Sequence, residues 1–255
     1  MNCVWCINAM QYFGRVAAEA LGWLLFIDAP VPDCDTVYII GMYDPPTYNL
    51  TLERTKRAKR RVIHWCGSDV QHIAPSYLPE ALHIAESENL KRELWEHGID
   101  SHVAMFPTPL HPPILPLPEV PTISAYFGSN PQKYGAQQLV MLQDVFKDVN
   151  WLTYQIGQYD QRQMLDVVAN TTVHVRLTEH DGSATSVREM LEGGRYVVSN
   201  VDAPFVKRVQ FDDMNEIIPA IATALKAKEP DTKAAEYYRE FNKRERYLND
   251  VGAVL

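Results

Sequence analysis

The chain has 255 residues, of which 46% are hydrophobic and 22% charged, a balance suited to one large or two small globular domains. Its net charge of −8 argues against a whole-surface nucleic-acid binder, while leaving room for a local basic patch. No apolar run reaches the roughly 18 residues that a membrane span needs, and the start, Met1-Asn2-Cys3-Val4-Trp5, lacks the basic region and long apolar stretch of a secretory signal.

The first predicted strand covers residues 3–7 and contains Cys3-Val4-Trp5-Cys6. That spacing serves redox and zinc sites, but no second ligand pair accompanies it, so both thiols read as core. With Cys34 and Cys66 they make four cysteines without the spacing of a disulfide framework, and a reducing, cytoplasmic setting is expected. A helix over 15–21 follows. Asp33-Cys34-Asp35 precedes the strand at 36–41 instead of following one, which makes it a turn into that strand and not a metal-holding acid pair. No metal is expected.

A helix over 50–59 carries most of the run Arg54-Thr55-Lys56-Arg57-Ala58-Lys59-Arg60-Arg61. A solvated helix face accounts for it. So does an anionic acceptor, such as a lipid head group or a DNA backbone, held by Arg57, Arg60 and Arg61. Strands at 62–66, 82–85 and 102–106, with a helix at 89–97, complete the first half. His64, at a strand end, is a candidate acid/base or acceptor-orienting group; a histidine satisfied within the fold is the alternative. Asp69 is the next candidate, with loop capping as its alternative.

Six prolines between Pro107 and Pro118 exclude a helix interior or a central strand. They predict an extended connector at 107–119 between domains 1–106 and 120–255. The second half reads as strands at 122–127, 151–156, 172–177 and 196–199, with helices at 136–146, 161–169, 187–192, 216–228 and 232–248. Short strands, apolar on both faces and alternating with helices, predict a parallel sheet in each half. Two Rossmann-like domains follow, with ligands at the carboxyl ends of the strands, in the cleft where the domains face each other.

The most informative stretch runs from Val175 to Asn200 as strand, polar loop, short helix, Gly193-Gly194 and strand. Gly182, Ser183, Ala184 and Thr185 are small, so the backbone can approach a ligand. The unpaired N–H groups and dipole of a helix start suit a diphosphate. Glu189, one turn in, can accept two hydrogen bonds from ribose hydroxyls. Ser186-Val187-Arg188-Glu189 also has the pattern of a capping box, in which Glu189 would only tie off the helix start. Asp181, at the strand exit, is placed to hold sugar hydroxyls or a cation-like centre.

These residues resemble the retaining GT-B glycosyltransferases, the family of glycogen-synthase-like and lipopolysaccharide enzymes, which carry an acid, seven residues and then a glutamate. Asp181 and Glu189 have that spacing, and Gly193-Gly194-Arg195-Tyr196-Val197-Val198-Ser199 is similar to the family's turn and strand. Tyr126-Phe127-Gly128 and Lys133-Tyr134-Gly135 resemble its first donor-domain strand and loop, and 62–70 and 83–99 resemble acceptor-domain segments. The resemblance implies a GT-B fold and transfer of a sugar, with retention, from a nucleoside diphosphate, uridine-based by expectation, to a hydroxyl acceptor. It implies that Asp181 or Glu179 meets the donor sugar and that Glu189 meets the ribose. Lys133, with Arg176 or Arg188, would neutralise the diphosphate beside Gly128, and no cofactor is required. Two further readings remain open: transfer to hydroxymethylated bases in DNA, and nucleotide-sugar binding without catalysis.

Overall fold

The computed structural model describes residues 1–42, 45–72, 80–127, 130–155, 158–182 and 184–255. They fall into two units, Met1–Pro107 with Lys243–Leu255, and Thr108–Asn242. Gly128 and Ser183, both expected at the donor, lie outside the described residues.

In the first unit, β1 (Asn2–Cys6), β2 (Leu24–Ile27), β3 (Cys34–Ile40), β4 (Ala58–Trp65), β5 (Leu82–Ala85) and β6 (His102–Val103) form one sheet in the order β2-β1-β3-β4-β5-β6. Every pairing is parallel. Helices α1 (Gln11–Leu21), α2 (Pro45–Arg54) and α3 (Glu88–Glu96) cover it. Period-two alternation explains why the strands are apolar throughout. Cys3 and Trp5 enter one core with Val37, Ile39 and Ile63. Val4 and Cys6 enter the opposite core with Tyr38, Ile40 and Val62. Each fully buried Val or Ile contributes roughly 1.5–3 kcal/mol. The two β1 thiols thus face opposite sides of the sheet and cannot share a metal.

The basic run does not lie on a helix. α2 ends at Arg54, and the chain turns and enters β4 at Ala58, where pairing with β3 takes over. β2, which the sequence reading does not assign, is a half-exposed edge strand following a left-handed Gly22.

In the second unit, β7 (Thr122–Tyr126), β8 (Asn150–Tyr154), β9 (Val173–Arg176), β10 (Tyr196–Ser199) and β11 (Val206–Arg208) are also all parallel, in the order β11-β10-β9-β7-β8. α4 (Ala136–Val145) and α7 (Met214–Ala224) pack on one face, and α5 (Gln161–Ala169), α6 (Thr185–Glu192) and α8 (Thr232–Phe241) on the other. β11 is a second strand that the sequence reading passes over, three residues long and mostly polar.

Two departures concern connections. The proline segment is extended but fixed to the second unit. The buried Arg195 guanidinium donates to the carbonyls of Leu115 and Pro116, both at 3.1 Å, and Arg239 donates to that of Pro112 at 3.3 Å. The helix expected over 232–248 is two helices. Asn242 ends α8 with its buried amide donating to Glu192 at 2.6 Å, and α9 (Arg244–Gly252) belongs to the first unit. There Tyr247 donates to the Tyr38 hydroxyl at 3.2 Å, and Arg60 holds the carbonyls of Val254 and Leu255 at 2.9 Å.

Gly194 takes φ +74°, and a Cβ there would lie 3.0 Å from that of Pro230. Gly194→Ala should therefore cost about 1–2 kcal/mol, from left-handed strain before any clash. Arg195→Ala, which removes a fully buried guanidinium and its two bonds to the carbonyls of Leu115 and Pro116, should cost about 1–3 kcal/mol. Urea unfolding of each variant measures both, and Arg195→Lys should recover only part because Arg195 reaches the two carbonyls from two separate nitrogens, a spread that a single ammonium nitrogen lacks.

Candidate active site

In the second sheet, β7 and β9 are neighbours, yet the chain leaves β7 for β8 on one side and β9 for β10 on the other. The loops at their carboxyl ends must diverge, and that switch point is where open parallel sheets bind ligands. The loop after β7 leads through Lys133, Tyr134 and Gly135 into α4, and the loop after β9 leads through Thr178–Gly182 into α6. They are joined where the N–H of Glu179 donates to the Lys133 carbonyl at 3.0 Å. Gly135 takes φ +66°, with a would-be Cβ 3.0 Å from the Cβ of Leu177, so α4 begins hard against the end of β9.

Arg176 organises this end. Its Nε and one terminal nitrogen donate to Oδ2 of Asp181 at 2.7 and 2.5 Å, and its other terminal nitrogen reaches Oγ of Ser186 at 3.3 Å. Its guanidinium carbon lies 4.6 Å from the centre of the Tyr126 ring and 5.2 Å from that of Tyr134, a cation between two aromatic faces. Beneath it, His174 bonds Ser124 through Nδ1 (2.9 Å) and Ser186 through Nε2 (3.3 Å). Burial, with Arg176 adding to it, drives the His174 imidazole down to about 3, so it is neutral. Thr178 is held by Asn200 through reciprocal backbone contacts at 3.0 and 2.7 Å. The sequence reading quotes Tyr126, Tyr134, Ser186 and Asn200 inside motifs without giving them roles. A cation at the end of β9 beside one tyrosine that ends β7 and another in the loop after it is the signal that marks the first two.

Asp181 is therefore a committed carboxylate, 14% exposed, whereas Glu179 is exposed and has no ion pair among the described residues. α6 starts at Thr185 with Ala184 as its N-cap and no side-chain cap. Ser186 thus lies inside the helix bonded to Arg176 and His174, and the capping-box pattern is not formed. Glu189 is buried, takes the N–H of Leu110, and has an Oε1 without a partner. Burial raises its carboxyl to about 8, against the opposing pull of Arg188 and Leu110. Lys133 is half-buried at the head of α4, and Gly182 is buried. Arg188 points elsewhere: it is buried, facing Asn242 at 3.5 Å, which in turn bonds Glu192. Glu192 also holds His111 at 2.8 Å, so this network fixes α6, α8 and the proline segment together.

The first-half candidates have structural partners. His64 is fully buried, bonded to the Tyr38 hydroxyl at 2.6 Å and stacked on Phe106 at 4.1 Å; burial lowers it to about 3. Asp69, also fully buried, accepts from the N–H groups of Cys66, Gly67 and Val70 at 2.8–3.1 Å and ties the loop after β4. Arg60 is spent on Val254 and Leu255, and Arg61 on the hydroxyl and carbonyl of Thr55 at 3.2 and 3.3 Å. Only Arg57 of the three is fully exposed. All three lie at the amino end of β4 or before it, away from the carboxyl edge where His64 and Asp69 stand.

Removing one partner of the buried Arg176–Asp181 pair strands the other charge. Asp181→Asn or Arg176→Met should each cost about 3–5 kcal/mol, and the double variant less than the sum, read by a double-mutant unfolding cycle. Stability should also pass through a maximum near pH 6.5. His64 and His174 have folded values near 3, below the unfolded 6.5, so their contribution is complete above 6.5 and is lost as pH falls towards 3. Glu189 has the opposite sign: its folded value of about 8 lies above the unfolded 4.5, so stability is lost as pH rises from 4.5 to about 8. One proton gives a slope of up to about 1.4 kcal/mol per pH unit. Unfolding midpoints across pH should show the alkaline decline vanish in Glu189→Gln.

No family model and no curated protein sequence matches the chain. Solved structures do. A sucrose-phosphate synthase from Thermosynechococcus elongatus superposes with a TM-score of 0.70 at 11% identity, over 100% of this chain and 98% of that one. The lipopolysaccharide outer core galactosyltransferase WaaB gives 0.68 at 11% identity, over 100% of both chains. S. aureus TarM, in a complex with fondaparinux, alpha-GlcNAc-glycerol and UDP, gives 0.62 at 12% identity, over 84% of this chain and 54% of that one. The chain thus spans about half the length of TarM. What is shared at these identities is the fold, two Rossmann-like α/β units with all-parallel sheets, and that fold is GT-B.

Proposed function

We propose that the protein transfers a sugar from a nucleoside diphosphate to a hydroxyl acceptor. One observation carries this reading. At the β7–β9 switch point of a GT-B second domain, an acid at the exit of β9 and a buried glutamate eight positions on, with a free Oε1, flank an uncapped helix start.

In this reading Glu189 accepts the ribose hydroxyls, for which its unpartnered oxygen is available. The first-turn N–H groups of α6 and the ammonium of Lys133 take the diphosphate, stabilising the charge that develops as it departs. Arg176 is held by Asp181, so it fixes that carboxylate's position and adds positive field from one layer behind. Asp181 or the exposed Glu179 meets the sugar hydroxyls. The bond from the anomeric carbon to the diphosphate oxygen breaks, the acceptor oxygen bonds the same face, and its proton passes to the departing phosphate. In this reading the anomeric configuration is retained, as the family resemblance implies, and no side chain acts as a nucleophile. A uridine donor is favoured by the UDP in complexes of TarM and of the pneumococcal O-GlcNAc transferase GtfA. A DNA acceptor has less support, because Arg60 and Arg61 are engaged with backbone carbonyls and the Thr55 hydroxyl, leaving Arg57 as the exposed member of the three.

Calorimetric titration with UDP, GDP, ADP and CMP tests the reading. One nucleoside diphosphate should bind, and Glu189→Ala should weaken it at least tenfold, about 1.4 kcal/mol. Because Glu189 must ionise to accept two hydroxyls, affinity should rise nearly tenfold per pH unit up to about 8 and then level, and Glu189→Gln should flatten that profile. Binding of none of the four, or binding indifferent to Glu189, overturns the proposal.

A further inference from the structure

A groove of about 740 Å³ runs between β11 and α7, formed wholly within the second unit. It shares no residue with the site at β7 and β9. β11 is an edge strand that pairs, among the described residues, only with β10. From Phe205 to Val209 the groove follows five residues of chain, about 16 Å at strand rise. The α7 wall presents Pro219, Ala220, Thr223 and Ala224, small enough for an occupant to lie close to the helix.

The charges are unevenly placed. The protein carries −8 overall, yet this groove is lined by Lys207, Arg208 and Lys226 against Glu216. The Glu216 carboxylate is occupied by the backbone N–H of Gln210 at 2.9 Å. Arg208 has one acidic neighbour, Asp202 at 3.4 Å, but the two side chains are 65% and 61% exposed, and water screens such a pair to little effect. At the head of β11, Phe205 holds a left-handed φ of +62° and is 45% exposed, its ring 5.5 Å from that of Tyr237. A bulky residue in that conformation is strained, here with its ring left at the surface.

We propose that this groove takes an extended acidic segment of a partner protein, added as a further strand on β11. The open edge supplies main-chain partners, as strand addition requires. Two of the three cations, Lys207 and Arg208, lie on the edge strand itself and Lys226 just beyond the end of α7, so a segment paired along β11 passes beside them. Alternate apolar side chains of the segment fill the small-residue wall, while the others meet Lys207, Arg208 and Lys226. Lysine on a short edge strand also repels further basic strands, so the same residues select the partner's sign.

A fluorescein-labelled octapeptide alternating Glu and Val, titrated by anisotropy against the full chain, tests this. Saturable binding is expected, weakened at least tenfold by Lys207→Glu with Lys226→Glu, and at least tenfold by Ala224→Leu, which fills the groove without changing charge. Unchanged thermal melting of both variants shows that they fold. An octapeptide N-methylated at alternate residues should not bind, because it cannot form the ladder. Absence of binding by the plain peptide overturns the proposal, as does equal binding by the methylated one or indifference to both variants. Preferential binding of phosphatidylglycerol vesicles would assign the groove to a lipid surface and equally overturn it.

Discussion

β7 and β9 lie side by side, and their connections leave in opposite directions. Two loops with no other reason to approach are thereby brought to one edge of the sheet, and their separation is set by the strand spacing. The Glu179–Lys133 backbone bond and the packing of Gly135 against Leu177 lock the loops at that separation. A side chain at position 135 would push α4 away from β9. The candidate site is thus a consequence of strand order first, and of side chains second.

The side chains then solve an electrostatic problem created by burial. β9 sends Val173 and Val175 into the apolar core but turns His174 and Arg176 to the α6 face. A buried guanidinium is tolerated because it has a fork of bonds to Asp181, two aromatic faces and a hydroxyl. His174 is tolerated because it is neutral and bonded at both nitrogens. Glu189 differs from these two in being buried with one oxygen unmatched, a condition it shares with atoms elsewhere in the chain, the His64 Nε2 and Arg195 Nε among them. Unsatisfied buried groups persist where a ligand completes them more often than where packing alone is at stake. Within one helix the two acids thus differ: Glu192 is engaged with both His111 and Asn242, while Glu189 keeps one oxygen without a partner.

The fold class was legible because parallel strands buried on both faces leave continuous apolar runs, as at 36–41 and 172–177. Both strands that escaped are edges, but for different reasons: β11 is three residues long and mostly polar, while β2 is wholly apolar and follows so closely on α1 that its run merges with the helix. The basic run misled for a related reason. Charge density says nothing of backbone conformation, and Arg60 and Arg61 serve carbonyls far away or across a turn, which no local pattern reveals. The proline segment was read correctly as extended, but its docking depends on Arg195 and Arg239, 79 and 127 positions along the chain from the prolines they hold. At the candidate site the acid spacing was legible. The partnership of Asp181 with Arg176 was not, since it depends on which face of β9 a residue takes.

A likeness of fold at 11% identity has a physical basis in the same constraints. Core positions demand only apolar volume, which many residues supply, so identity there decays without changing the sheet. At the switch point of this chain the constraints are more local: Gly135 takes positive φ where α4 meets the end of β9, and α6 starts without a side-chain cap. With α6 beginning at Thr185, Glu189 lies one turn in, about 6 Å along the axis from the first-turn N–H groups. That rise is a property of the helix and not of its sequence. A side chain one turn into α6 is therefore held at that distance from the helix start whatever residues lie between.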